Sequence, residues 1–193
     1  MGNEKSGLLS LKDWWEMEFT EIEKKIILEK YKPLNGITLT DSMTTVTDSE
    51  INFLTVLQSW FTNSCDEIIS EKILLRAESL VSNENPILDI HFLYNSLIEH
   101  YYKKRDVDPI YLDLAKVYCQ KQIDISQGVK DKFQSEQWYG KLPRHLGFER
   151  LAIILEKEKK YLESIELCKV ADYIGWNSDW TKRINRLLKK NNN

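Results

Sequence analysis

Three histidines, His91, His100 and His145, are the side chains best suited to moving protons near neutral pH, so their spacing is decisive. His91 and His100 are separated by about 900 degrees of helical turn, which leaves them on opposed sides of one helix. His91, beside Phe92, reads as a core or helix-start residue. His145 follows Arg144 at the start of a helical stretch, where a helix N-terminus can meet an anion, so Arg144 and His145 are candidates for anion contact. Cys65, Cys119 and Cys168 are odd in number and contain no CxxC pair, so neither a disulfide framework nor a zinc site is expected. No HExxH, GxSxG or glycine-rich phosphate loop occurs. Glu156, Glu158, Glu163 and Glu166 alternate with lysines at helical spacings and read as solvated pairs. Arg105, Asp106 and Asp108 make a charged turn that a helix cap explains as well as a contact point does. The residues imply no catalytic group, no metal and no cofactor.

Composition points the same way. A chain of 193 residues can bury roughly 70% of its unfolded surface, enough for one compact unit without staples. A net charge of -3 and a pI near 5.7 remove the general attraction for phosphate backbones, so nucleic acid is not an expected partner. The one basic cluster, Lys182, Arg183, Arg186, Lys189 and Lys190, lies on the last helical stretch, where cations complement the helix dipole. No run of about 18 apolar residues occurs, and the start lacks a basic flank followed by an apolar run. A reducing cytoplasm, with neither membrane span nor leader, is the expected setting.

The elements that would position any site are helical. Glycines and prolines are few, seven and four, and apolar residues recur with a period near 3.6. Thr20 with Glu23, Thr47 with Glu50 and Ser64 with Glu67 each match a capping box, and Asn85-Pro86 and Asp108-Pro109 are helix starts of the other common kind. Helices are predicted over 20–32, 48–62, 65–82, 86–104 and 109–125, after a short amphipathic segment with Leu11, Trp14 and Trp15. Adjacent tryptophans cannot both face one way on a helix, so one of Trp14 and Trp15 is expected to point to a partner, another subunit or the loop after Pro33. That loop runs from Pro33 to Thr47 and separates an N-terminal segment, 1–47, from a repeat region, 48–193. Ser126 to Pro143 reads as a long linker with one extra turn of helix, anchored to the core by Phe133, Trp138 and Tyr139. Ser178 is placed as the cap of a closing helix whose apolar face is Trp180, Ile184, Leu187 and Leu188.

Internal spacing suggests repetition. From Leu155 the steps to Ser164, Cys168 and Ala171 equal those from Phe61 to Ser70, Leu74 and Ala77. Leu151 precedes Leu155 as Leu57 precedes Phe61. Two helical hairpins of one shape fit this, with the serine allowing close helix approach and the next residue filling a layer. A looser copy runs from Leu97 and Tyr101 to Ala115 and Cys119, with Gln122 where the others have alanine, and a more open packing contact is expected there.

The segment Leu151-Ala152, Leu155, Tyr161, Ser164-Ile165, Cys168 and Ala171 resembles a tetratricopeptide repeat, with Ser164 for the usual first alanine, Lys159 for the frequent turn glycine and Trp176 near the expected proline. The likeness is best over these residues and weaker over 54–81 and 94–123. Phrases such as His91-Phe92, Tyr101-Tyr102-Lys103, Leu142-Pro143-Arg144-His145 and Gly175-Trp176 look like helical-repeat proteins of bacteria with low genomic GC content. The resemblance implies an all-α, short right-handed superhelix of antiparallel hairpins, with an N-terminal helical extension and a C-terminal capping helix. It also implies a non-catalytic adaptor or scaffold that holds a protein or peptide in a groove. Carried over by position, the partner-binding residues are Asn95, Glu99, Tyr102 and Lys103 with Glu149, Ile153 and Glu156. Two other readings stay open: a mobile-element or defence effector with an enzymatic site that shows no motif, and a self-associating structural protein that forms a homodimer through exposed aromatics.

Overall fold

The computed structural model describes residues 10–33, 39, 49–136 and 142–192. Among them all regular structure is helical, and the contacts gather into two units, Met1–Ser82 and Asn83–Asn193. No helix of the described residues is long and apolar enough to cross a membrane.

The first unit holds α1 (Leu11–Glu18), α2 (Glu21–Lys30), α3 (Glu50–Gln58) and α4 (Glu67–Ser79). Thr20 and Glu23 form the complete capping box at the start of α2, each satisfying a backbone N–H of the other. Thr47 lies outside the described residues, and Ser49 caps α3 by accepting from the Asn52 N–H. Ser64 caps nothing: Ser64–Asp66 is a 3-10 turn, and the Asp66 carboxylate accepts from Lys30 of α2 instead. Both helices of this hairpin therefore end short of the predicted 48–62 and 65–82.

Trp14 and Trp15 are each about 6% exposed, so neither points outward to a partner or another subunit, which leaves of the three expected directions only the loop after Pro33. The reason is Phe19, the extended residue that ends α1, whose ring lies 5.1 Å from Trp14 and 5.3 Å from Trp15 and gives both indoles an apolar neighbour. Lys72 of α4 then ties the hairpins together, reaching both Glu23 oxygens at 2.9 Å and the Glu18 carbonyl at 2.9 Å. Trp60, 37% exposed, rests edge-on against Tyr31. The loop after Pro33 lies outside the described residues apart from the buried Leu39.

The second unit holds α5 (Ile87–Lys103), α6 (Pro109–Asp124), α7 (Ser126–Ser135), α8 (Leu146–Lys157), α9 (Tyr161–Ile174) and α10 (Trp180–Asn191). Asp108 caps α6 with Pro109 at its first position, as the sequence indicates. Consecutive helices stack: α6 lies against both α5 and α8, and α9 against both α8 and α10. The first part of the predicted linker is a ten-residue helix, α7, which turns Ser126, Val129 and Phe133 inward onto the core formed by Phe148, Ala152, Cys168, Ala171, Trp176 and Trp180. Trp138 and Tyr139 lie outside the described residues.

The two serines matched by spacing do the same job by different bonds. Ser164 donates to the Ala152 carbonyl at 3.0 Å, and Ser70 accepts from the Gln58 side chain at 2.9 Å, so each fastens the second helix of its hairpin to the first. Leu151 and Leu155 are only half-buried, because α8 turns Phe148 and Ala152 into the core instead. Leu188, 43% exposed, likewise leaves the predicted apolar face of α10 to Trp180, Leu187 and the partly buried Ile184. Asp179 rather than Ser178 precedes that helix, without a side-chain capping bond.

Lys159, in the turn between α8 and α9, has φ of 62°, the left-handed conformation that favours glycine. Lys159→Gly is expected to stabilise the protein by about 0.5 to 1 kcal/mol, read as a higher urea midpoint at unchanged slope.

Candidate functional site

The residues carrying polar chemistry in the second unit meet where α5, α6 and α8 pack. Gln122 of α6 is fully buried, donating to the His91 carbonyl at 3.0 Å and to Asn95 Oδ1 at 2.6 Å and accepting from the Gly147 N–H at 2.7 Å. One amide thus joins three helices, and the open contact predicted at this position is instead a filled polar one. Gly147 permits the approach: a Cβ there would lie 2.8 Å from Gln122 Oε1 and 2.9 Å from the Cys119 carbonyl oxygen.

His145 is fully buried and caps α8, its Nδ1 accepting from the Phe148 N–H at 3.4 Å. Accepting at Nδ1 puts the ring proton on Nε2, so the imidazole is neutral and has no free lone pair to offer a metal. Burial and the neighbouring His91 push its pKa down to about 3. His145 therefore does not meet an anion, which corrects the reading from its place in the sequence. Arg144 faces outward and holds Glu149 through two bonds of 2.8 Å.

The candidate partner residues divide into closed and open ones. Tyr102, 7% exposed, lies beneath the guanidinium groups of Arg105 and Arg150, at 4.4 and 4.8 Å from its ring centre. Glu149 is 7% exposed and held by Arg144, while Glu99 accepts from Arg150 at 2.7 Å. Asn95 is half-buried on Gln122. These four belong to the packing of α5 with α6 and α8. Lys103 is exposed, and Ile153 and Glu156 lie half-buried on an open groove of about 520 Å³ whose other walls are Lys157, Arg183, Arg186 and Lys190.

The spacing of Glu156 with nearby lysines predicts a solvated pair. Glu156 instead accepts from Arg186 at 2.6 Å and Lys190 at 2.9 Å, with Arg183 at 3.9 Å, and so anchors α10 to α8. Burial pushes its carboxyl up, but the hydrogen bonds from Lys190 and Arg186 outweigh this and leave it below the ordinary range. Glu158 similarly reaches Lys116 of α6. These long-range partners had no local signal in the sequence.

The remaining reactive groups are held back. Cys119 and Cys168 are buried, and burial pushes their thiols up to about 12 and about 11, so neither is a nucleophile near neutral pH. Cys65 is exposed. Among the described residues no three His, Cys, Asp or Glu side chains converge as a metal site requires. No protein-family model, curated protein or solved structure matches the chain.

Proposed function

We propose that the protein is a non-catalytic, cytoplasmic adaptor of bacterial helical-repeat type, a short right-handed superhelix of antiparallel hairpins that resembles tetratricopeptide repeats and binds a protein or peptide. The observation that carries this is the groove between α8 and α10, which has open space, two of the residues expected to bind a partner, and walls already fastened by Glu156. Pre-formed walls spare the ordering entropy that binding would otherwise cost. The stacking of α6 between α5 and α8 and of α9 between α8 and α10 supports the repeat reading. Four cations line the groove against a single carboxylate, and Ile153 supplies an apolar floor, so the fitting occupant is an acidic peptide segment with an apolar side chain.

Selection of a random peptide library on the folded protein at physiological salt tests this. Acidic sequences are expected, and Arg186→Glu with Lys190→Glu should weaken their binding at least tenfold, while Tyr173→Asp on the far side of α9 leaves it unchanged. Neutral or basic sequences, or binding that survives the charge reversal, would reject the assignment.

A second reading rests on α9, where Tyr173 is 92%, Leu162 62% and Val170 48% exposed. A homodimer would use this face, and sedimentation of the wild type and Tyr173→Asp at matched concentration decides it: a concentration-dependent dimer that the variant abolishes supports self-association, and a monomer throughout removes it.

A further inference from the structure

Two of the histidines that are far apart in sequence share one buried place. The rings of His91 and His145 lie 5.2 Å apart, Trp176 stands 4.6 Å from His145 and nearly parallel to His91 at 6.2 Å, and Phe148 and Phe133 close the sides. Three nitrogens there, His91 Nδ1, His145 Nε2 and Trp176 Nε1, are buried without a hydrogen-bond partner. So many unmatched polar atoms in one core cluster mark a place held at some energetic cost.

We propose that this cluster is an acid-operated latch: a proton taken up by the His91 and His145 pair frees the first turn of α8 and the Trp176 segment while the remainder of the unit stays folded. The geometry supplies the mechanism. His145 is already protonated on Nε2, so an added proton must bind Nδ1, and it removes the acceptor that holds the Phe148 N–H. The cation formed then sits at the positive end of the α8 dipole. His91, 5.2 Å away, disfavours a second charge.

Burial and His91 outweigh the backbone groups of Gln122 and of His145 itself, which favour the charged ring, and no side chain around the pair carries a compensating charge. From α5 come His91 and Phe92, from α6 the neutral Gln122 and the protonated Cys119, from α7 Phe133, and from α9 the protonated Cys168 of the same core. On its own element Arg144 and Glu149 neutralise each other, and neither histidine has an ion-pair partner among the described residues. The Trp176 segment moves with the latch because the Asn177 N–H donates to the Pro143 carbonyl at 3.1 Å, two residues before His145.

Burial lowers His91 to about 4 and, with His91 alongside, His145 to about 3, both below the ordinary 6.5 of an unfolded chain. Stability from these groups is thus complete above pH 6.5 and is lost as pH falls from 6.5 toward 4.

Amide hydrogen exchange on the full chain between pH 7 and 4.5, corrected for intrinsic rates, reads the latch. Protection of Phe148 and Asn177 is expected to fall at least tenfold while Cys168 keeps its protection. His145→Asn, which caps without titrating, should lose that response. Equal loss at all three amides, no loss at Phe148, or a wild-type response in His145→Asn would overturn the proposal. Should the variant not fold, imidazole nitrogen shifts of the wild type decide it: a neutral Nε2–H ring at pH 6 supports the latch, and a ring already cationic there overturns it.

Discussion

Gln122→Leu should lower the stability of the second unit by about 3 to 5 kcal/mol, because it keeps the side-chain volume and deletes every polar contact of the amide. The Gly147 N–H, held now at 2.7 Å, would be left unmatched in the core, while the His91 carbonyl, which keeps its helical partner, and the half-buried Asn95 Oδ1 would lose bonds of 3.0 and 2.6 Å. Leaving a buried donor or acceptor unmatched costs about 1 to 3 kcal/mol, so the full loss at Gly147 with the partial losses at the His91 carbonyl and Asn95 dominates the small gain from added apolar surface. Gln122→Glu is the sharper comparison: it retains an acceptor for Gly147 but sets a carboxylate against the His91 carbonyl and Asn95 Oδ1, and should be at least as damaging. Urea unfolding followed by helix signal checks both, with the midpoint falling at constant slope. A Gln122→Leu unfolding free energy within about 0.5 kcal/mol of the wild type, as for an exposed substitution, would show that the amide is not the junction of the three helices.

Trp180→Ala is expected to cost about 3 to 5 kcal/mol and to release α10. Trp180 is 1% exposed, fills the core beside Trp176 and donates its Nε1–H to the Trp176 carbonyl at 2.6 Å. The chain reaches it through Gly175, whose φ of 101° turns the backbone at the end of α9 and lets Trp176 fold inward. Without the indole, α10 keeps Leu187 fully buried and Ile184 partly packed on the core, and the ion pairs of Arg183, Arg186 and Lys190 with Glu156, at about 1 kcal/mol or less each, tether it without replacing the lost burial. Limited trypsin digestion gives the readout: cleavage after Lys182, Arg183 and Arg186 should accelerate in Trp180→Ala and not in Trp180→Phe, which keeps most of the buried area. Unchanged cleavage in the alanine variant would mean α10 is held elsewhere.

Local signals in the sequence read well and distant ones did not, for a physical reason. The Thr20 and Glu23 box and the Asp108-Pro109 start were legible because a cap is settled within one turn of chain. Ser64 carried the same signal and failed, since Asp66 is drawn to Lys30, 36 residues away, and the chain tightens into a 3-10 turn. The helix α7 shows in the sequence as no more than a turn, because Val129 and Phe133 are its only large apolar residues, and it forms by packing them on the core. Matching serines at Ser70 and Ser164 were legible as small residues, though not as hydrogen-bonding ones.

The same divide runs through the site. Gln122 stood out as a departure from the repeat, yet its partners come from α5 and α8, 25 to 31 residues away, and the departure read as looseness. Tyr102 and Glu149 took positions expected to meet a partner and were enclosed by arginines that the spacing could not assign to them. Glu156 and Ile153 did reach an open groove, because their face of α8 is covered by α10 only through long side chains.

Amide chemical-shift mapping with an acidic peptide selected on the protein tests whether the groove between α8 and α10 is the binding site. Perturbations are expected to concentrate on Ile153, Glu156, Arg183, Arg186 and Lys190. Shifts gathered on the Leu162, Val170 and Tyr173 face of α9 instead would contradict it.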